Sequence, residues 1–177
     1  MTETLLVHEI YLSIQGESTF AGLPCAFVRL TGCDLRCSYC DTVYAFKGGK
    51  RMAIKEIIDE LNSTCDFKGI KGSKLPLVEI TGGEPLLQKN VHALMTQLCD
   101  IGLTVLIETS GAHSIKTCDP RVHNIMDWKC PSSGESDQMK RENIANLKPT
   151  DEVKFVIGTW EDYEWAKSQI EKFQLTG

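Results

Sequence analysis

The chain lacks any long run of apolar residues and any excess of positive charge. Its 177 residues carry a formal net charge of −5, with 19 Lys and Arg against 24 Asp and Glu. No stretch reaches the roughly 18 apolar residues of a membrane-spanning helix, and the N-terminus lacks the charged-then-apolar layout of a secretory signal. A nucleic-acid-binding surface usually carries a basic stripe. The composition therefore predicts a cytoplasmic protein that acts on neither membranes nor nucleic acid.

Internal repeats and low-complexity segments are also missing. A chain of 177 residues with 42% hydrophobic residues can build one substantial core but not two. We therefore expect a single domain over residues 1–177. The one basic cluster, residues 47–51, contains two glycines and is predicted to be a solvated loop.

The chain does contain eight cysteines, and Cys33, Cys37 and Cys40 stand close together. Thiols at this spacing can converge on one metal centre, but no fourth Cys or paired His follows as a zinc knuckle would need. An iron–sulfur cubane normally takes four thiolates, so three leave one iron open to an exogenous ligand. We expect such a cluster here. The remaining cysteines are predicted to be small core or loop residues: Cys25, Cys65, Cys99, Cys118 and Cys130.

Alternating and helical patterns predict an α/β fold. A period of two predicts a half-buried strand over residues 7–14, with Ile10, Leu12 and Ile14 on its apolar face. Helical spacing predicts helices around residues 54–61 and 91–98, and a near capping box at Thr159 and Asp162 begins another. Residues 131–142 are predicted to be a polar loop that runs into a short helix. Further strands are expected at residues 26–31, 77–81, 104–108, 124–128 and 152–157, and the strand–helix alternation predicts a parallel sheet with right-handed crossovers.

Polar or glycine-containing motifs follow four of these strands. The cysteines follow the strand at 26–31, and residues 82–85, 108–111 and 127–129 follow or end the next three. Ligands collect at the carboxyl ends of parallel strands. The sequence therefore predicts one site that all four motifs share.

The cysteine spacing and the Gly-Gly-Glu-Pro motif of residues 82–85 resemble the two signatures of the radical S-adenosylmethionine (SAM) enzymes. The stretches 13–17, 27–33 and 37–42 make the resemblance more specific, since together they are similar to the 7-carboxy-7-deazaguanine synthases of the queuosine pathway. The match runs from about residue 8 to about residue 158. It implies a partial, open (β/α) barrel with a parallel core sheet. It also implies a carbon–nitrogen lyase that converts 6-carboxy-5,6,7,8-tetrahydropterin to 7-carboxy-7-deazaguanine with loss of ammonia.

The resemblance also implies ligands for this sequence. A [4Fe–4S] cluster would be bound by Cys33, Cys37 and Cys40, and Mg²⁺ by Thr42. Family members use an electron donor such as flavodoxin or ferredoxin, and we expect a homodimer. SAM would be bound by Tyr39, Gly83, Glu84, Ser110, Asp127, Trp128 and Lys129, and the pterin by Ile14, Gln15, Gly16, Glu17, Arg29 and Thr81.

Two of these implied residues also have a physical rationale for the pterin. The Gln15 amide can pair with the donors and acceptors along its edge, and the Arg29 guanidinium can bind its carboxylate with two parallel hydrogen bonds.

Two other functions remain open at the sequence level. One is an activase that generates a glycyl radical on a protein partner, and the other is a non-enzymatic electron carrier. The activase would leave Arg29 and Gln15 without a small acidic substrate, and the carrier would leave the strand-end glycines and Glu84 unexplained. Members of the resembled family usually continue into a C-terminal segment with a proline and a His-Lys pair near the substrate. We expect a domain without that segment here.

Overall fold

The computed structural model describes residues 3–64 and 77–176, which form one seven-stranded sheet with three α-helices. The strands are β1 Thr4–Ile14, β2 Pro24–Leu30, β3 Lys50–Ala53, β4 Leu77–Gly82, β5 Thr104–Thr109, β6 His123–Asp127 and β7 Glu152–Lys154. The helices are α1 Ile54–Thr64, α2 Val91–Asp100 and α3 Trp160–Phe173, with short 3₁₀ helices at Val43–Phe46, Pro85–Leu87, Pro131–Ser133, Ser136–Gln138 and Arg141–Asn146. None of these helices is long and apolar enough to cross a membrane.

The strands lie in the order β3-β1-β2-β4-β5-β6-β7. From β2 to β7 all neighbours are parallel, which confirms the predicted parallel core of an open barrel. β1 runs antiparallel to both β2 and β3, so the whole sheet is mixed. The connection of residues 15–23 explains this direction, because it is shorter than the dozen or more residues that a parallel crossover needs.

Four local predictions are wrong. The predicted loop at residues 47–51 contributes Lys50 and Arg51 to β3, which pairs with the start of β1. β7 ends at Lys154 and does not reach residue 157. The segment 131–142 forms successive 3₁₀ helices rather than one helix after a loop. Finally, the predicted apolar face of β1 is not half-buried at its end, where Leu12 is 46% and Ile14 65% exposed, because the main core contacts β1 only as far as Ile10.

Alternation along the buried strands divides the core into two parts. On one face Val78 and Ile80 of β4 pack with α1 and α2 in the main core. On the other face, Leu77 packs in a smaller cluster that we call the apolar floor. The apolar floor consists of Cys25, Phe27, Leu77 and Leu106, with Tyr11 and Phe20 packed against it. Cys25, Cys99 and Cys130 are buried and Cys118 is half-buried, as expected of structural cysteines, while Cys65 lies outside the described residues.

The β1–β2 connection reaches across the inner face of the open sheet. The Thr19 hydroxyl donates a hydrogen bond of 2.7 Å to Glu152 of β7, and the Phe20 ring lies 5.2 Å from the His123 ring of β6. This connection therefore joins the two halves of the partial barrel from within. The carboxyl ends of β2, β4, β5 and β6 stay open above the apolar floor.

Candidate active site

The three clustered cysteines lie on the loop that follows β2, which we call the cysteine loop (residues 33–40). All three thiols line one cavity of about 440 Å³ at the carboxyl ends of the parallel strands. Contacts of Arg36 help to hold this loop in place. Arg36 Nη1 donates to the Cys33 carbonyl at 2.8 Å and to the Leu35 carbonyl at 2.6 Å, and the Arg36 guanidinium lies 4.4 Å from the centre of the Phe46 ring.

A second set of hydrogen bonds ties the cysteine loop to the segment after β6. Ser38 N donates to the Ser133 carbonyl at 2.9 Å, and Ser38 Oγ donates to the Ser132 carbonyl at 2.7 Å. Arg36 N donates to Glu135 Oε1 at 2.6 Å. The backbone around the thiols is therefore fixed by the fold on two sides.

The thiol arrangement fits a cluster better than a single metal ion. Across residues 3–64 and 77–176, no three His, Cys, Asp or Glu side chains are placed to ligate one ion. A zinc site would hold its thiolates at about 2.3 Å from one centre. A cubane takes each thiolate at a different iron, so it suits thiols that share a cavity without converging on one point. Burial raises the pKa of the Cys33 and Cys37 thiols, so metal binding here releases protons.

Paired glycines bring the end of β4 against the start of the cysteine loop. A Cβ atom on Gly83 would lie 2.2 Å from the Gly32 carbonyl oxygen and 2.8 Å from Cys33 Cβ. A Cβ atom on Gly82, whose φ is +152°, would lie 2.2 Å from the Leu30 carbonyl oxygen. Glu84 N donates to the Gly32 carbonyl at 2.8 Å. The backbone of residues 82–84 therefore contacts the backbone at the start of the cysteine loop, and a side chain at position 83 would push the two segments apart.

Glu84 was predicted to face SAM, but its carboxylate points away from the cavity and is fully buried. Its oxygens accept hydrogen bonds from Leu86 N at 2.9 Å, Thr109 Oγ1 at 2.9 Å, Ser110 N at 2.7 Å and Ser110 Oγ at 2.6 Å. The cavity is lined instead by Thr109 and Ser110, which Glu84 holds. Glu84 thus positions the end of β5 relative to the end of β4.

Five of the residues predicted to bind SAM do line the cavity: Tyr39, Gly83, Ser110, Asp127 and Lys129. Two of them carry buried polar atoms with no hydrogen-bond partner in the described structure, Tyr39 OH and Asp127 Oδ1. Lys129 Nζ lies 2.7 Å from Asp127 Oδ2 and 5.9 Å from the centre of the Tyr39 ring. Buried polar groups are normally paired, so these two atoms fit a polar ligand at this rim.

Trp128 does not line this cavity, and its predicted contact with SAM has no support in the structure. Its side chain is 4% exposed and packs against Phe155, Trp165 and Phe173, with ring centres 5.2 to 6.3 Å apart. Alternation along β6 explains this, because Asp127 faces the inside of the open barrel and the next residue faces α3. Trp128 therefore anchors that helix.

On the substrate side, the structure brings Gln15, Gly16, Glu17, Arg29 and Thr81 to the same cavity. Ile14 does not line it and is 65% exposed. Thr42 also lines the cavity, and its hydroxyl donates to Asp41 Oδ1 at 2.6 Å.

Arg29 is held by its neighbours on β1. Its Nε lies 2.8 Å from Glu9 Oε1, and its Nη2 donates to Tyr11 OH at 2.7 Å. The guanidinium also lies 5.8 Å from the ring centres of Tyr11 and Tyr44. Burial lowers the Arg29 pKa, but Glu9 and the two tyrosines outweigh it and raise the pKa overall. The plane of the guanidinium is therefore fixed, and Nη1 has no hydrogen-bond partner among the described residues.

Sequence reasoning missed an acidic cluster in the cavity, formed by Glu79 and Glu108 with Glu17 and Lys154. Lys154 Nζ hydrogen-bonds Glu17 and lies 3.0 Å from Glu108 Oε1. Thr81 Oγ1 donates to Glu108 Oε2 at 3.3 Å. Burial and the Glu108 carboxylate raise the pKa of Glu79 to about 8, against the opposing effects of Gln15 and Lys154. The sequence offered one sign of this cluster, since Glu79 is the only charged residue in the otherwise apolar run 77–80.

Comparisons with known proteins agree with this geometry. A model described as the radical SAM superfamily matches residues 27–119. The chain is 48% identical over 162 residues to the 7-carboxy-7-deazaguanine synthase of Koribacter versatilis, covering 91% of this chain and 68% of that relative. It is 44% identical over 176 residues to the 7-carboxy-7-deazaguanine synthase of Chlorobaculum tepidum, covering 98% of this chain and 76% of that relative. The crystal structure of QueE from Escherichia coli matches with a TM-score of 0.75 at 21% identity, over 95% of this chain and 78% of that chain, which establishes the likeness of fold.

The buried carboxyl of Glu79 gives a stability prediction. Because its pKa rises from 4.5 to about 8 on folding, the folded state binds more protons than the unfolded state between these values. The free energy of unfolding should therefore fall as pH rises through this window, by on the order of 2 kcal/mol between pH 6 and pH 8. Glu79→Gln should remove this contribution and be the more stable protein at pH 8.

Urea unfolding of wild type and Glu79→Gln at both pH values measures the difference. Glu164→Gln, which changes an exposed carboxylate on α3 outside the cavity, serves as the control. Parallel pH dependences in wild type and Glu79→Gln would mean that Glu79 is ionised in the folded protein.

Proposed function

The chain belongs to the 7-carboxy-7-deazaguanine synthase family of the radical SAM superfamily, and we propose that it converts 6-carboxy-5,6,7,8-tetrahydropterin to 7-carboxy-7-deazaguanine with loss of ammonia. It is a radical SAM enzyme, and its cofactors are a [4Fe–4S] cluster and SAM. One observation carries the proposal. A single cavity holds three cysteine thiols at its rim, unpaired polar atoms beside them, and an arginine and an acidic cluster along its walls.

On the SAM side, Cys33, Cys37 and Cys40 would hold the cluster. When bound, the cluster and SAM would together supply the radical chemistry that removes a hydrogen atom from the substrate. The chain contributes position. The unpaired Tyr39 OH and Asp127 Oδ1 offer hydrogen bonds to the polar groups of SAM.

On the substrate side, Arg29 would hold the pterin carboxylate. Its orientation is already set by Glu9 and Tyr11, so little side-chain entropy remains to be lost on binding. Thr42 and Asp41 offer adjacent oxygen atoms at the rim, which suits Mg²⁺ that keeps several waters and also binds the substrate carboxylate. With its carboxylate held at this rim, the pterin would have its ring beneath the cysteine loop.

The partners follow the same proposal. The cluster needs a one-electron donor such as flavodoxin or ferredoxin, and we propose that the protein works in the cytoplasm.

We also propose a homodimer. In the described structure, β3 pairs only with residues 4–7 of β1, so the rest of that strand presents a sheet edge beside the exposed Leu12 and Ile14. Sedimentation equilibrium would measure the mass, and a monomer at micromolar concentration would rule the dimer out.

Reaction products test the function directly. Anaerobically reconstituted protein with SAM, a reductant and the carboxylated tetrahydropterin should release ammonia and 7-carboxy-7-deazaguanine, detected by mass spectrometry. Replacing any one of Cys33, Cys37 or Cys40 by Ala should abolish this activity, because a cubane then lacks a ligand. Cys118→Ala, which changes a cysteine outside the cavity, should keep it.

Two results would reject the proposed function. Stoichiometric zinc without a SAM-dependent change in the EPR signal would remove the radical chemistry. Cleavage of SAM with the pterin recovered intact would favour an activase of a protein partner.

The magnesium site can be tested apart from the radical chemistry. Thr42→Ala removes the hydroxyl next to Asp41, so turnover of the pterin should lose most of its dependence on Mg²⁺ concentration. SAM cleavage without substrate should persist, because the thiols are unchanged. A Mg²⁺ titration of the variant that superimposes on that of wild type would assign Thr42 to the structure of the loop alone.

Arg29→Lys keeps the charge but loses the planar pair of N–H donors. Charge-assisted hydrogen bonds contribute about 1.5–3 kcal/mol, so kcat/KM for the carboxylated pterin should fall about tenfold to 150-fold. Substrate-independent SAM cleavage in the same variant should change little. If both rates fall equally, Arg29 supports the fold through Glu9 and Tyr11 and does not bind the carboxylate.

A further inference from the structure

We propose that Glu79 binds the amine-bearing edge of the substrate ring and that Gln15 holds Glu79 in place for this task. The inference deepens the proposed function and rests on it. The ring of a pterin carries an exocyclic amino group beside a ring N–H, and this pair of parallel donors matches the two oxygens of one carboxyl group. Glu79 would thereby determine which heterocycle the cavity accepts.

The side-chain amide of Gln15 is bound to the protein at both ends. Its Nε2 donates to Glu79 Oε2, and its Oε1 accepts from Glu17 N at 3.1 Å. One N–H and one lone pair of the amide remain for a ligand. The two bonds fix the orientation of the amide and tie it to the Glu79 carboxyl group, so Gln15 positions that group.

Glu79 has more unused acceptor positions than Gln15. An ionised carboxyl group has about four acceptor positions on its two oxygens, and N–H donors of a ligand favour the ionised form. In the described residues, Glu79 accepts one hydrogen bond, from Gln15 to Oε2. Glu79 lines the cavity, and 3% of the residue is exposed. A ligand therefore reaches the unused acceptor positions through this small exposed part.

The position of Glu79 in the sheet places this acceptor at the bottom of the cavity. Its register partners on the two neighbouring strands are Phe27 and Leu106, both members of the apolar floor. Arg29 and Thr81 lie one layer nearer to the cysteine loop, since these two residues pair two positions further along β2 and β4. A flat ligand that reaches the bottom between aromatic and aliphatic side chains meets the Glu79 carboxyl there, together with the Gln15 amide bonded to it.

The distribution of charge along the cavity supports the same orientation. Arg29 and the adjacent Thr42 hydroxyl lie on the β2 side, where a carboxylate of the ligand is favoured. The β4, β5 and β7 side carries Glu79 and Glu108, opposed by Lys154, which Glu17 also contacts. Three carboxyl groups around one ammonium group leave acceptors for ligand N–H donors. A carboxylated pterin has its carboxylate and its amino group at opposite ends, as this arrangement requires.

The surroundings of Glu79 do not fit a role in stabilising the fold. If Glu79 served only to stabilise the fold, its replacement by an apolar residue would destabilise the protein. A carboxyl group between Phe27 and Leu106 instead faces a desolvation cost that a leucine would avoid. Glu79→Leu should therefore fold at least as stably as wild type while losing recognition.

The test compares two ligands that differ only in the amino group. Isothermal titration calorimetry would measure the binding of 7-carboxy-7-deazaguanine and of its 2-deamino counterpart, 7-carboxy-7-deazahypoxanthine, to the SAM-loaded holoenzyme without reductant. Wild type should prefer the aminated ligand by about tenfold to 150-fold, the effect expected for hydrogen bonds to a charged group. Glu79→Leu should bring the preference close to one, and Glu79→Gln should give an intermediate value. The surface variant Glu164→Gln on α3 should retain the wild-type preference.

Each outcome decides the matter. A preference in Glu79→Leu equal to that of wild type would overturn the proposal, as would a wild type that binds both ligands equally. A Glu79→Leu protein that unfolds at lower urea concentration than wild type would also overturn it, since Glu79 would then be structural. Failure of the proposed function has a different signature: the wild-type holoenzyme would neither bind 7-carboxy-7-deazaguanine nor form it from the pterin.

Discussion

The close approach of two backbone segments, Gly32 at the start of the cysteine loop and Gly83 at the end of β4, is the constraint on which the site depends. A Cβ atom on Gly83 would lie only 2.2 Å from the Gly32 carbonyl oxygen, so no side chain fits between them. The contact lets Glu84 N donate to Gly32, and the Glu84 carboxylate then binds the end of β5 through Ser110. One steric requirement thus fixes the cysteine loop, the end of β4 and the end of β5 relative to one another.

Stability and recognition make opposite demands on the inside of the open barrel. At its bottom the strands pair Phe27 and Leu106 with a glutamate, although a third apolar residue would complete the apolar floor. Burial holds the pKa of Glu79 near 8, so the folded protein is less stable at neutral and alkaline pH than one with a neutral side chain there. A ligand that donates hydrogen bonds to this carboxyl offsets its desolvation. The free energy lost in folding is therefore recovered on binding.

Much of the fold and of the cysteine-side site could be predicted from local sequence, because both rest on short patterns. Strand and helix periodicity located the parallel core, and the cysteine spacing located the rim. The direction of β1 depends on the length of its connection, and the burial of its end depends on how far the main core extends, so residue alternation misjudged Leu12 and Ile14. Asp127 and Trp128 were both predicted to bind SAM, but consecutive side chains of a strand face opposite sides. Asp127 lines the cavity, and Trp128 packs against α3. Lys154 lies far from the other site residues in sequence, and only the sheet order brings it to Glu17 and Glu108.

The reversed strand explains how an open sheet can enclose a small ligand. Because β1 is antiparallel to β2, its end at Ile14 pairs with Pro24, at the start of β2 and far from the cysteine loop. The chain leaves β1 at the bottom of the cavity and crosses the inner face, where Gln15 meets Glu79 and Glu17 meets Lys154. A parallel β1 would end beside the thiols, and the bottom would lack these polar contacts. The three cysteines therefore lie at the carboxyl ends of the strands, and Gln15 and Glu79 lie at the bottom of the same cavity.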